Sequence, residues 1–258
     1  MKEKTYQLLI ELTNGKWSSM LLKKFSSSGI SRYLIPSYIK VYGIDMEEVS
    51  TERPFSSLHD FFIRELSDNA RPIDREYNTI VSPVDGFLET TGEIEKGEKF
   101  FVKGKEYSVS SLMGSLEAAQ RYKGGTFLVL YLSPANYHWI HSPVNATVDR
   151  QYILGNKSYP VNRTGLTYGK SPISGNYRLI NELTMENGRK CAVIKVGAMF
   201  VNSIHMTHTE QVWGKGESIG YFSFGSTVVL LFEKGSFKLD GIRSGEPVKM
   251  GERIGFMV

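Results

Sequence analysis

The run Val228-Val229-Leu230-Leu231-Phe232 is apolar throughout and is entered through Phe224-Gly225-Ser226-Thr227. A short run of this kind suits a buried strand. A flexible glycine beside a hydroxyl residue at its mouth lets the chain bend sharply and hold an Oγ against a neighbouring carbonyl. The same pattern also suits an ordinary turn in which the hydroxyl satisfies backbone groups. The rest of the chain decides between the two.

Further strand candidates are Phe87 to Thr91, Thr126 to Leu132, Thr147 to Leu154 and Cys191 to Val196, most of them bounded by Gly, Asn or Pro. With 25 Gly, 14 Tyr and 14 Phe among 258 residues, the composition also favours a strand-rich body. The stretch around Val148, Gln151, Tyr152, Ile153 and Leu154 does not alternate cleanly. Gly216-Glu217-Ser218-Ile219-Gly220-Tyr221-Phe222 recurs as Gly251-Glu252-Arg253-Ile254-Gly255-Phe256-Met257, the same turn-then-strand unit used twice around Ser226. The expected fold is α+β and β-dominated: a folded-over sandwich or barrel-like body with an internal pseudo-repeat, preceded by amphipathic N-terminal helices.

Residues 5 to 45 read as helical, with Trp17, Leu21 and Phe25 on one face and Lys16 and Lys23 on the other. Lys2, Lys4, Lys16, Lys23, Lys24, Arg32 and Lys40 outnumber Glu3 and Glu11, so this end is expected to be drawn to an anionic surface. Ser57 to Leu66 repeats the helical pattern with Leu58, Phe61, Phe62 and Leu66 on one face, and His59 reads as structural. The chain is expected to divide into residues 1–70, a helical, membrane-associating region, and residues 71–258, a β-rich domain that would carry any catalysis. The formal charge of +4 implies no nucleic-acid partner. Cys191 is the only cysteine, which excludes an internal disulfide and fits a reducing cytoplasm. No stretch approaches the roughly 18 apolar residues of a membrane span, and the N-terminus lacks a signal-peptide core, so membrane contact is expected to be peripheral.

Three stretches offer reactive groups. Ser82-Pro83-Val84-Asp85-Gly86 puts a carboxylate in a turn before a strand. Tyr137-His138-Trp139-Ile140-His141-Ser142-Pro143 holds two histidines, the side chain that moves protons near neutrality. Ile204-His205-Met206-Thr207-His208 repeats the spacing, but four histidines make an unusual zinc site and no metal is expected. Asp85, His141 and Ser226 together would form an acid–imidazole–hydroxyl constellation. Neither a Gly-x-Ser-x-Gly elbow nor an alternating βα pattern accompanies it, so a conventional hydrolase fits poorly.

In order and approximate spacing, Val84-Asp85-Gly86, the Tyr137–Pro143 stretch and Phe224-Gly225-Ser226-Thr227 resemble the signature stretches of the phosphatidylserine decarboxylases. The resemblance extends to Phe61-Phe62-Ile63-Arg64-Glu65-Leu66 with Ala70-Arg71-Pro72-Ile73, to Val102–Ser108, and to Lys215-Gly216-Glu217 through Phe222, covering residues 55 to 235. Phe224 stands where many relatives have Leu, and Trp139 where Arg is frequent. The resemblance implies a pyruvoyl enzyme that cuts itself between Gly225 and Ser226 into chains 1–225 and 226–258, with Ser226 becoming the pyruvoyl group. Asp85 and His141 would assist this maturation and His138 the decarboxylation. The substrate would be phosphatidylserine, bound as a Schiff base on the pyruvoyl ketone, and the products phosphatidylethanolamine and CO2. It also implies peripheral attachment to an anionic membrane surface, at the cytoplasmic face of the cell membrane, and leaves room for a homodimer. The competing readings are a lipoyl-like β-barrel carrier module, suggested by the Gly-Glu repeat, a pyruvoyl decarboxylase of soluble amino acids, and a zinc-dependent hydrolase using both histidine pairs.

Overall fold

A computed structural model describes residues 21, 23–95, 97–161, 166, 171–198 and 203–258. Most of the helix expected around Trp17 lies outside them, although Lys23 to Ser26 are helical. A 3-10 turn, Gly29–Leu34, leads into α1 (Ile35–Tyr42), which Gly43 ends in the left-handed conformation, φ 61°. Helix α2 (Leu58–Phe62) begins where the Ser57 hydroxyl accepts the Asp60 N–H at 3.1 Å. It stops four residues short of the apolar pattern. The backbone of residues 65 to 67 is taken instead by an antiparallel bridge, with Ser50 N–H on Glu65 O and Ser67 N–H on Glu48 O.

In chain order the strands are β1 (Thr79–Val81), β2 (Gly86–Glu93), β3 (Lys99–Val102), β4 (Lys105–Ser108), β5 (Thr126–Leu132), β6 (Trp139–His141), β7 (Ala146–Leu154) and β8 (Arg178–Met185). There follow β9 (Lys190–Gly197), β10 (Ile204–Met206), β11 (Val212–Trp213), β12 (Ser218–Phe222), β13 (Ser226–Phe232), β14 (Phe237–Leu239), β15 (Pro247–Val248) and β16 (Arg253–Met257). Eight of them form one antiparallel sheet in the order β11-β7-β8-β9-β13-β5-β2-β15. The sheets β1-β16-β14 and β10-β12-β6 lie against one face, giving a layered body, and among the described residues no sheet closes into a barrel.

Strand β13 pairs along its whole length with β5 and β9, and all seven of its residues are buried. Val228, Leu230 and Phe232 enter one core with Leu130, Val193 and Trp213, whereas Val229 and Leu231 enter a second with Phe127, Ile194 and Tyr122. Helices α3 (Val109–Met113), α4 (Leu116–Gln120) and α5 (Pro172–Gly175) supply apolar residues to the second core. A central strand covered on both faces has no polar side, so its sequence does not alternate. Strand β7 loses alternation for a different reason, a register shift against β8 between Val148 and Arg150.

The Gly-Glu repeat is half of a larger internal symmetry. Ser82-Pro83-Val84-Asp85 and Ser142-Pro143-Val144-Asn145 are equivalent turns joined reciprocally, Val81 N–H to Pro143 O at 3.0 Å and His141 N–H to Pro83 O at 2.8 Å. Each serine hydroxyl donates to the carbonyl two residues on, at 2.7 Å in both turns. Each serine backbone is clasped by one copy of the repeat, Ser82 by Gly251-Glu252 and Ser142 by Gly216-Glu217. Both glycines need the left-handed region, φ 81° at Gly216 and 87° at Gly251, and at both a Cβ would strike the Pro72-Ile73 segment.

Candidate active site

Ser226 is the first residue of β13, opposite Leu132 and Gly197, and is fully buried. Its Oγ has no hydrogen-bond partner among the described residues. A buried hydroxyl that satisfies nothing runs against the ordinary-turn reading of this motif. The carbonyl of the preceding Gly225 accepts the Ala198 N–H at 2.9 Å. That bond polarises the one carbonyl next to the serine. A Cβ on Gly225 would meet nothing within 4 Å, so packing does not demand glycine there. Gly197 is different, because a Cβ there would lie 2.4 Å from the Ser203 hydroxyl.

His138 is wholly buried, with its ring 3.9 Å from that of Phe62, which stacks in turn on Phe224 at 5.8 Å. Its Nδ1 lies 2.8 Å from Asn136 O. A carbonyl only accepts, so Nδ1 carries the hydrogen and Nε2 the lone pair. That Nε2 is buried without a partner among the described residues. Burial, helped by the nearby Arg64 charge, pushes His138 down to about 3 and keeps the ring neutral.

His141, at the end of β6, is assigned by the same logic. Its Nδ1 donates to Gly216 O at 2.9 Å, so Nε2 accepts from the Tyr137 hydroxyl at 3.2 Å. Burial lowers its pKa against the opposing effects of the Gly216 bond and the Asp85 charge. Burial raises that of Tyr137 well above its usual value, with Asp85 adding to the shift.

Asp85 closes the first turn. Its Oδ1 accepts the Met250 N–H at 2.8 Å, and both oxygens accept from Arg71, Nε at 2.9 and 3.1 Å and Nη2 at 2.6 Å. Arg71 also binds Glu48 at 2.8 Å, and Lys249 binds the other Glu48 oxygen at 2.7 Å. The Arg71 bond is the chief cause that holds Glu48 down at about 2. Burial works against the charge on Arg71, but its two carboxylate partners outweigh that and hold its pKa above the ordinary value.

The structure sets Asp85 close enough for its charge to act on His141 but does not bond the expected groups to one another. Both His141 nitrogens are engaged by Gly216 and Tyr137, and Asp85 is engaged by Arg71 and Met250. Among the described residues, no hydrogen bond links Asp85 to His141 or His141 to Ser226. Sequence reasoning did not single out Tyr137, Arg71, Glu48 or the Ala198 N–H. The first two stand inside the recognised motifs, and an arginine flanking an apolar stretch was the available signal. The second histidine pair is used elsewhere: His205 stacks on Tyr221 at 4.9 Å, and His208 Nε2 donates to Val212 O at 3.1 Å. Among the described residues no three histidine, cysteine or acidic side chains gather as a metal site.

The fold is a β-rich body that holds a buried, unpartnered hydroxyl and two buried histidines kept uncharged. The family profile described as phosphatidylserine decarboxylase matches residues 58–256. A phosphatidylserine decarboxylase proenzyme of Geobacillus sp. (strain WCH70) is 51% identical over 254 residues, covering 98% of each chain. Those of Geobacillus kaustophilus and Bacillus thuringiensis subsp. konkukian are 49% and 47% identical, each covering at least 98% of this chain and 97% of the relative. The chain belongs to the phosphatidylserine decarboxylase family.

Proposed function

We propose that this chain is a proenzyme that cuts itself between Gly225 and Ser226 and then converts phosphatidylserine to phosphatidylethanolamine and CO2. The observation that carries the reading is the Gly225-Ser226 junction itself. An unpartnered Oγ follows a carbonyl already held by the Ala198 N–H, within the stretch the family profile matches.

In this reading Ser226 Oγ attacks the Gly225 carbonyl carbon, and the Ala198 N–H stabilises the negative charge that develops on its oxygen. His141 takes the serine proton once Nε2 exchanges the Tyr137 hydroxyl for that of Ser226, and returns it to the departing backbone nitrogen. Asp85 supplies the negative charge that favours the imidazolium while it exists. The resulting ester breaks by elimination, leaving a carboxylate on Gly225; hydrolysis then releases ammonia and leaves a pyruvoyl group at residue 226. A chain's own carbonyl is held at very high effective concentration, so no hydrolase elbow is needed. The pyruvoyl group supplies an electron sink for the carboxylate lost as CO2. Phe62, buried, and Phe224, half-buried, help keep water away from this centre, and His138 offers the free nitrogen that moves protons there.

Residues 1–70 form the membrane-associating region in this proposal and residues 71–258 the catalytic one. Leu21, Phe25, Ile30, Tyr33, Leu34 and Val41 are all exposed large apolar side chains in the N-terminal helices. Such a patch, in a lysine-rich segment, supports peripheral attachment to an anionic leaflet at the cytoplasmic face. No helix of the described residues is long and apolar enough to cross a membrane. The chains 1–225 and 226–258 remain partners, and two copies can pair as a homodimer.

Intact mass under denaturing conditions tests the proposal. Two fragments dividing at Gly225/Ser226, the smaller carrying pyruvoyl, are expected from the wild type and one uncut chain from Ser226→Ala. The cut enzyme should release CO2 from phosphatidylserine vesicles; an uncut wild type that still did so would sink the mechanism.

A further inference from the structure

Arg64 follows α2 and is 4% exposed, yet among the described residues it forms no ion pair with a carboxylate. Its Nη2 donates to Ala135 O at 2.6 Å and to Asn136 O at 3.2 Å. The second of these carbonyls is the one that accepts from His138 Nδ1 at 2.8 Å. Two donors fill the two lone pairs of one oxygen, and a guanidinium is always charged. We infer that Arg64 is a positioning residue for His138: through the shared Asn136 carbonyl it fixes which imidazole nitrogen is free and keeps that nitrogen unprotonated until substrate arrives.

The chemistry of the proposed reaction, on which this inference rests, gives the arrangement a purpose. A phosphatidylserine amine arrives protonated and becomes a nucleophile only by losing that proton. His138 Nε2, neutral and without a partner, takes it: an N–H bond breaks on the substrate and one forms on the imidazole. The carbon that loses CO2 then needs a proton, and the same Nε2–H bond breaks to give a C–H bond. The product amine regains its own proton from water on release, so one solvent proton is taken up per CO2. Arg64 makes the intermediate imidazolium short-lived and therefore a strong acid. From α2 the ring otherwise meets Phe62, while the His138 backbone carbonyl is held by the Phe222 N–H of β12 at 2.9 Å. Among the described residues Arg64 is the one charged side chain whose field shifts His138; burial and Arg64 favour the neutral ring and outweigh the Asn136 carbonyl bond, which favours the charged one.

The test uses the full chain with Arg64→Gln, which keeps a donor and loses the charge, and Arg64→Lys, which keeps both. In the uncleavable Ser226→Ala background, nitrogen-15 NMR of His138 should show the Nδ1–H form. Its titration midpoint should rise by about one pH unit with Arg64→Gln and stay in place with Arg64→Lys. In the otherwise wild-type chain both variants should still cut themselves. Arg64→Gln should then lower kcat about tenfold at little change in KM, with the acid limb of its pH profile moved up by about one unit. An unmoved midpoint in Arg64→Gln overturns the inference, as does a rise in KM at constant kcat, which would mark Arg64 as a substrate ligand. Failure of both variants to self-cleave would overturn it too, by showing a purely structural role. If the wild type releases no CO2, the function proposed above fails, while the His138 titration still judges Arg64.

Discussion

The two Ser-Pro-Val-Asx turns have the same backbone and different chemistry. In each, the Asx oxygen accepts a backbone N–H from the neighbouring repeat, Met250 for Asp85 and Lys215 for Asn145. The first turn adds a charge, which calls in Arg71, Glu48 and Lys249. The second adds none, but the residue before its serine is His141 where the first turn has Val81. A duplicated scaffold has thus been given an acid on one copy and an imidazole on the other. The hydrogen bonds that hold each turn are common to both, so the reactive residues can be exchanged with the scaffold kept.

The largest effect is expected from making the first turn like the second. Asp85→Asn keeps the Met250 bond and strips Arg71 of a buried carboxylate, so stability should fall by about 3 kcal/mol. Self-cleavage, followed by intact mass, should slow by at least about 100-fold. The reciprocal exchange at the second turn, His141→Val, should slow cleavage by about 100- to 1,000-fold while leaving urea unfolding within about 1 kcal/mol of wild type. A variant that cut itself at the normal rate would detach His141 from maturation.

Acid should separate the copies by pH. His138 and His141 have lowered pKa values in the fold, so below their unfolded value of about 6.5 the unfolded chain binds more protons. Their contribution is complete above that pH and is lost on acidification, from His138 alone at about 1.4 kcal/mol per pH unit down to about 3. Glu48, beside the first turn, contributes stability above its unfolded pKa that is lost as pH falls through about 2. Unfolding free energies from pH 7 to 4 should therefore report on the histidines first, and His138→Phe should flatten the slope over that range. The smallest effect is expected from Asn145→Asp. The new carboxylate keeps the Lys215 N–H, so cleavage should be unchanged and stability should move by no more than about 1 kcal/mol, measured by urea unfolding.

Much of this was legible in the chain. The strands β5, β9 and β13 announce themselves as short apolar runs, and the Gly-Glu repeat pointed to pseudo-symmetry. Its other half, Ser82-Pro83-Val84 against Ser142-Pro143-Val144, is equally present in the sequence, although the flanking residues differ in charge. Helix α2 ends at Phe62 although the periodicity continues to Leu66, because a bridge to residues 48–50 claims the backbone first. Arg71 on Asp85 follows from how segments cross, and Tyr137 on His141, four residues apart in one stretch, follows from a backbone course that the spacing alone does not fix. Function was readable because motifs in order carry it; the hydrogen-bond partners of each motif residue were not.

Strand β13 starts at Ser226, so a break before it would leave residues 226–258 threaded through the middle of the largest sheet. The two pieces would share both cores, with no surface along which to part. Dilution could not separate them as it separates subunits; only melting the whole body would. The cut would cost the chain its continuity without giving either piece an independent existence, and the new end would stay where the old bond had been.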